Sequence, residues 1–270
     1  MQSKAGDQWG YFQAKRLRST LQRNAFDLLA STGDLNPLDA GAFQRVADKM
    51  PASSEQAGTA PAHADLPALL ASAEGQAALD LLNRDELPGT GAAPTLDHRI
   101  GAAIAAVDAF SPETEIALQV ASIEGAALDQ ALVAARDRVQ AFDAAMKPTE
   151  HVIAQIESSL AQLRTGGNGS LKRDFTALRV RHAARRYDVE ASLNQAIANI
   201  YELQVRKSNL SAERHHLRSQ RFFYGMLGAQ MAVIIATFAM AARQRNLLWS
   251  LAAAAGLGAV AFALYVFLKV

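Results

Sequence analysis

FFYGMLGAQMAVIIATFAMAA (residues 222–242) and LLWSLAAAAGLGAVAFALYVFL (residues 247–268) decide the fold of this chain. Each run is about 21 residues, and at about 1.5 Å per residue a helix of that length covers roughly 30 Å of hydrocarbon. Neither contains a charged side chain, and four polar residues separate them. Gln230 and Thr237 interrupt the first run and Ser250 the second. The pattern predicts a helical membrane hairpin. Aromatic residues sit where the two ends of such a hairpin meet headgroups: Phe222, Phe223 and Tyr224 open the first span, Tyr265 and Phe267 close the second, and Trp249 lies by the turn. Small residues four apart (Ala252 and Gly256, Ala254 and Gly258, Ala232 and Ala236) predict close approach of the two backbones.

Lys and Arg near the span ends set the expected orientation. Arg206, Lys207, Arg214, Arg218 and Arg221 precede the first span and Lys269 follows the second, against Arg243 and Arg245 in the turn. The balance favours both ends inside and a cytoplasmic soluble part. Arg214, Arg218, Arg221, Tyr224, Arg243, Arg245, Trp249 and Tyr265 are the expected membrane-interface residues.

Outward from the hairpin the chain reads as all-α, with Ala-rich composition and no strand-like alternation. There is no cysteine, so neither a disulfide nor a thiolate metal site is available. The net charge of +1 hides a segregation by sign. Residues 24–169 carry 8 Lys or Arg against 20 Asp or Glu, whereas residues 170–221 carry 11 against 5. The first 23 residues are also basic, with Lys4, Lys15, Arg16, Arg18 and Arg23 against Asp7. Two readings stand: the basic blocks face anionic headgroups, or they are helix faces paired in part with the acidic middle.

Four regions follow. Residues 1–33 form a basic amphipathic helix in which Trp9, Phe12, Leu17, Leu21, Ala25 and Leu28 recur every three to five positions. Residues 34–169 are an acidic Ala/Pro-rich helical region with linkers near 51–67 and 86–96. Within it, short helices are expected over 38–50, 68–84 and 97–110. A longer one starts with Ser111 as N-cap and Pro112 at the first helical position, runs to Met146, pauses at Lys147-Pro148 and resumes to Arg164. Gly166-Gly167-Asn168-Gly169 marks a reversal, after which Ser170 caps a basic stalk helix over 170–221. One heptad column of the stalk (Phe175, His182, Val189, Ala196, Leu203, Leu210, Leu217) is mostly apolar and the next only at its centre. That partial pattern predicts a coiled-coil-like packing against an antiparallel partner from the same chain. Residues 222–270 complete the hairpin.

Nothing in the chain assembles catalytic chemistry. Gly166 to Lys172 lacks the spacing of a phosphate loop and reads as a turn. His215 and His216 are adjacent on a helix, about 100° apart, without the partners a metal needs. Glu113 and Glu115 read as first-turn acids favouring the helix dipole. Gln230 either lines a pore or bonds across helices, and an amide satisfied within the hairpin is the plainer expectation. Aromatic and basic residues alternate over 9–18, but an amphipathic packing helix explains them without nucleic acid.

Asp7-Gln8-Trp9-Gly10-Tyr11-Phe12-Gln13-Ala14-Lys15 resembles the DQWxYxQAK signature of a bacterial family, domain of unknown function 4337. The distal end is similar too: a charged helix closing in His215-His216, a span, an Arg-bearing turn followed by Leu248-Trp249, and a second span. The resemblance implies roles in the family motif for Asp7, Gln8, Trp9, Tyr11, Gln13, Ala14 and Lys15, and a place in the bacterial inner membrane. It brings no activity. Members similar to this chain carry a further span just before the motif, whereas here Met1 lies six residues upstream of Asp7. A span in that place would put the soluble part outside.

The expectation is a membrane-anchored scaffold or interaction protein, without catalysis or cofactor. Its partners are the bilayer and either a second copy or another protein, with no nucleic acid and no small-molecule substrate. The alternative is an oligomeric channel or transporter-accessory subunit built from the hairpin, for which Gln230, Arg243 and Arg245 are the reason.

Overall fold

The computed structural model describes residues 2–48, 66–89, 95–162, 169–241 and 245–269. Among them every regular element is a helix. In chain order they are α1 (Gln2–Ser31), α2 (Ala40–Asp48), α3 (Leu66–Ala71), α4 (Ala73–Arg84), α5 (His98–Asp108), α6 (Glu113–Ser122), α7 (Gly125–Gln162), α8 (Gly169–Ala241) and α9 (Arg245–Lys269). The all-α expectation, with a long helix leading into an apolar hairpin, holds.

The 73-residue α8 is the axis of the molecule. At about 1.5 Å per residue it is about 110 Å long, so stalk and first span are one helix. Three regions of it meet three sets of partners. Phe175 and Leu178 join Phe43, Leu70, Leu82 and Ile156 in a core built by α2, α3, α4 and the end of α7. Leu193 closes a small middle cluster with Phe142 and Met146 of α7. Ile197, Ile200 and Leu203 meet Ile100, Val120 and Leu128 in a second core built by α5, α6 and the start of α7. The acidic middle region is therefore a sleeve along α8 from Phe175 to Leu210, not a lobe beyond its far end.

Both α1 and α7 run antiparallel to α8, as pairings along their lengths show. Gln8 meets Asn194 and Ser19 meets Asp188 along α1; Asp129 meets Gln204 and Glu157 meets Arg179 along α7. Of the expected heptad column, Phe175, His182 and Leu203 are buried, but Ala196 and Leu217 are exposed. The seam drifts because α8 is flanked on more than one side.

Several local expectations are corrected. The helix expected over 68–84 is two helices. Ser72 sits between them and accepts from the Gly75 N–H at 3.0 Å, with Gly75 pressed so close to the Leu69 carbonyl that a Cβ would lie 2.0 Å from it. Leu66 and Pro67, assigned to a linker, open α3, where Leu66 is buried. Pro112, not Ser111, is the N-cap of α6, and it offers no side-chain bond. The long helix does not run on to Met146. It breaks at Ile123-Glu124, and α6 and α7 meet at 89°. Ile123 is extended and buried there, and its carbonyl accepts from Lys207 Nζ. At Lys147-Pro148, where a pause was expected, α7 continues unbroken. Proline there removes a backbone donor. Buried Met146 and Val152 on either side, and the Glu150–Arg186 ion pair, tie that stretch to its neighbours. Gly169 already belongs to α8, so Ser170 lies inside the first turn rather than capping it.

Most of the linker near 51–67, residues 90–94 of the second linker, and Gly166 to Asn168 lie outside the described residues.

Candidate functional site

Two surfaces stand out: the apolar hairpin, and the polar seam by which α1 is fastened to α8.

The seam starts from the spacing of α1. Ala5, Gln8, Phe12, Lys15, Ser19, Gln22, Phe26 and Leu29 recur at three- and four-residue steps, and these positions are covered in whole or part. That spacing puts them on one face of a helix. Half of the face is polar, so its groups need partners. Gln8 Nε2 donates to Asn194 Oδ1 at 2.6 Å, and Ser19 Oγ donates to Asp188 Oδ1 at 2.7 Å. Lys15 pairs with Glu190 and lies over the Tyr11 and Tyr187 rings. Burial pulls the Lys15 ammonium down, but hydrogen bonding and charge from Glu190 outweigh it, and the group ends above its ordinary value. Arg16 and Arg23 both reach Asp188.

Within the stretch Asp7–Lys15, Gln8 and Lys15 thus hold α1 to α8. Trp9 packs edge-on against Phe12 at 5.5 Å, and Asp7 accepts from Ser3 at 3.4 Å. Gln13 and Ala14 face outward with Tyr11. The leucines expected to pack do not. Leu17, Leu21 and Leu28 are 62%, 56% and 69% exposed. The polar residues won the buried face because α8 offers Asp188, Glu190 and Asn194 opposite them. Periodicity alone cannot see such partners.

Farther along α8, most cations are neutralised. Arg173 pairs with Asp174, Arg179 with Glu157, Arg185 with Asp85, Arg186 with Glu150 and Glu190, and Arg206 with Glu113 and Glu202. Burial lowers Arg206, while bonds from Glu202 and Glu113 raise it further, leaving it above its ordinary value. Arg181 donates to the Leu82 and Asn83 carbonyls at the end of α4 and stacks on Phe26. Pairing with the acidic sleeve and with α8 itself, rather than with headgroups, accounts for these. Beside them His182 is buried, and neither ring nitrogen has a hydrogen-bond partner among the described residues. Burial pushes it below its ordinary value; Asp85 opposes that, and Arg185 and Arg181 add to it.

The hairpin is built differently. Among the described residues two helices are long and apolar enough to cross a membrane, the distal part of α8 and α9. They pack antiparallel, with Gly225 facing Phe262 and Gly228 facing Ala259. Ala232, Ala252 and Val266 are buried between them. Gly256 and Gly258 were expected at this contact, but no atom comes near where their Cβ would be. Gly225, Gly228 and Ala232 of α8 and Ala252 and Ala259 of α9 are the narrow side chains at the contact, and Phe262 and Val266 fill space from α9. The outer faces carry exposed Met231, Val233, Phe238, Leu251, Leu257 and Leu264.

Tyr224 and Tyr265 lie exposed at one end with Phe223 and Phe267, and exposed Trp249 lies at the other. At the first end Arg218 stacks on the Phe222 and Phe267 rings and donates to the Phe267 carbonyl at 3.3 Å. Arg214 and Arg221 are exposed just before the span. Arg245 opens α9, and Arg243 lies outside the described residues. Gln230 is exposed, and no described residue of the hairpin bonds its amide, where an amide satisfied within the hairpin was the plainer expectation.

Among the described residues no group of three or more His, Asp or Glu side chains is placed to hold a metal. A hollow of about 760 Å³ is an open trough between Leu96–Ile100 and the start of α7, lined by Asp97, His98, Arg99, Glu124 and Gln130; His98 Nδ1 lies 3.4 Å from Asp97 Oδ1 there, with both side chains open to solvent. Comparison of the chain with family models, with curated proteins and with solved structures finds no match.

Proposed function

We propose that this protein is a membrane-anchored helical scaffold that works by association, with a second copy or another protein, rather than by catalysis. The observation that carries the reading is the outward stripe of Leu17, Leu21 and Leu28 on α1, together with the exposed Gln230 amide on the hairpin. Gly10, Ala14, Leu17, Leu21, Asn24 and Leu28 alternate four and three residues apart, the spacing of a coiled-coil seam with one polar position. An unbonded amide in hydrocarbon favours a partner helix, since model peptides give about 1–2 kcal/mol for such bonds. The resemblance to the domain of unknown function 4337 family agrees with this architecture and adds no activity. In this reading the soluble part is cytoplasmic and the bilayer is a bacterial inner membrane, on the Lys and Arg balance and the resemblance respectively.

Mass measurement of the full chain in mild detergent tests it. An oligomer, or a stable complex with a co-purifying protein, is expected, and L17E/L21E/L28E should dissolve it. A monodisperse monomer that co-purifies with nothing would overturn the reading. Cysteines placed at Ser54 and Asn246 in this cysteine-free chain report orientation. Labelling at Asn246 alone by an impermeant maleimide in intact cells is expected.

Gln230 also supports a second reading, a small channel formed by several hairpins. Reconstituted bilayers without conductance, unchanged by Gln230→Leu or Arg243→Ala, would dismiss it.

A further inference from the structure

Between the sleeve and the hairpin, α8 is bare. From Ser211 to Gln220 its residues are exposed except Arg218, which is half covered by its two aromatic rings. On this neck the rule that governs the rest of α8 fails. Arg214 and Arg221 have no carboxylate partner among the described residues, and Arg218 meets rings and a carbonyl instead. Arg214, Arg218 and Arg221 stand at i, i+4 and i+7, so one helix face carries all three. The single nearby acid, Glu213, is next to Arg214 in sequence and so about 100° round the helix.

We propose that this arginine stripe is a binding site for the phosphate headgroups of anionic phospholipids. The proposal rests on the reading that the hairpin lies in a bilayer. Depth agrees with it. Arg221 adjoins Phe222, the first residue of the aromatic belt, and Arg218 is one turn farther out. Headgroups occupy roughly 5–7 Å beyond the hydrocarbon on each side, which is where one helical turn places a guanidinium. Arg214 lies about 12–15 Å beyond Phe222–Tyr224, and so within about one Debye length of the headgroup layer.

Geometry also agrees. The Arg218 guanidinium lies 6.0 Å from the Phe222 ring and 5.4 Å from the Phe267 ring, and one N–H is used by the Phe267 carbonyl. The other donors stay available in the planar fork that suits a phosphate. The same contacts have a purely structural use, since a cation at a helix C-terminus is favourable. That use accounts for Arg218 alone. It leaves Arg214 and Arg221 unexplained.

The test uses the full chain in discs of equal phosphatidylcholine and phosphatidylglycerol, extracted gently and weighed with its retained lipids by native mass spectrometry. Each cation near an anionic surface favours it by about fivefold. Enrichment of phosphatidylglycerol by about tenfold or more is therefore expected, falling close to parity in R214Q/R218Q/R221Q. Parity in the wild type, or undiminished enrichment in the triple variant, overturns the proposal. Should the variant fold poorly, the wild type itself decides: a headgroup site loses its preference at about 1 M salt, and a salt-insensitive preference overturns it. Alkaline carbonate washing reads the hairpin separately. A chain washed off the membrane defeats the anchor, whereas a chain that stays but shows no lipid preference defeats only this site.

Discussion

The two halves of α8 obey opposite rules. Between Phe175 and Leu210 the helix buries apolar side chains against α1 to α7 and meets nearly every cation with a carboxylate or a carbonyl. Beyond Phe222 it turns apolar side chains outward and buries small ones against α9. The difference is one of solvent. Water rewards a covered Leu and tolerates an exposed charge, whereas hydrocarbon reverses both preferences and leaves close packing as the main force between helices. A single helix carries both rules because its backbone satisfies itself in either medium.

Five changes would break or sharpen that contrast. Removing residues 222–270 should have the largest effect, moving the protein from the membrane pellet to the supernatant, read by fractionation. A truncated chain that stays with membranes would mean that α1 or the neck holds it there. Next, Phe175→Ala should cost about 3–5 kcal/mol in unfolding of the detergent-solubilised chain, because the ring is 2% exposed and packs against Phe43 at 6.3 Å. Leu257→Ala, 71% exposed on the outer face of α9, should change the same midpoint little. Equal losses would erase the distinction between the two halves.

A smaller gain is expected at Phe110. It follows α5 with φ at 53° and is 93% exposed, so it stores backbone strain without packing in return. Phe110→Gly should raise stability by up to about 1 kcal/mol, visible as a higher midpoint temperature. The smallest effect concerns pH. His182 titrates below its ordinary value when folded, because burial opposes its charge. Its contribution is whole above the unfolded value of 6.5 and is lost as pH falls through the folded one. The wild-type midpoint should therefore drop on acidification below that value, and His182→Leu should flatten the slope. An unchanged slope would show that other groups carry it.

How much was legible follows the same division of solvents. The hairpin could be read directly, since hydrocarbon imposes one composition on some twenty consecutive residues. The continuous α8 was also legible, because no Gly or Pro interrupts Ser170 to Arg221. The water-facing half was harder. α1 buries Ser19 and partly covers Gln8 and Lys15 while exposing Leu17 and Leu21, a choice made by partners about 170 to 190 residues away in sequence. The 89° elbow at Ile123-Glu124 has no Pro to announce it, and Gly125, the first residue of α7, is a weak signal on its own. It exists because Ile123 enters the second core and Lys207 holds its carbonyl. Pro148 misled in the other direction, since packing on both sides kept the helix intact. Of the candidate sites, the interface arginines and aromatics are expectations from position along the spans. That Arg214, Arg218 and Arg221 would stand apart from the paired cations of α8 was not legible, because pairing is a property of the fold.

The unbroken run of α8 also makes it a gauge of height. From Arg206, where Glu113 ties α6 to α8, to Phe222 there is no break in the helix, and the axial distance is about 24 Å. With the apolar half in a bilayer, α6 and the elbow are held at that standoff from the aromatic belt. Backbone hydrogen bonds lock each intervening torsion, so the body cannot swivel about the neck without melting a turn. A partner that engages this end of the sleeve must then reach it at a fixed elevation and azimuth, and inserting or deleting residues in the neck would change both, by about 1.5 Å and 100° each.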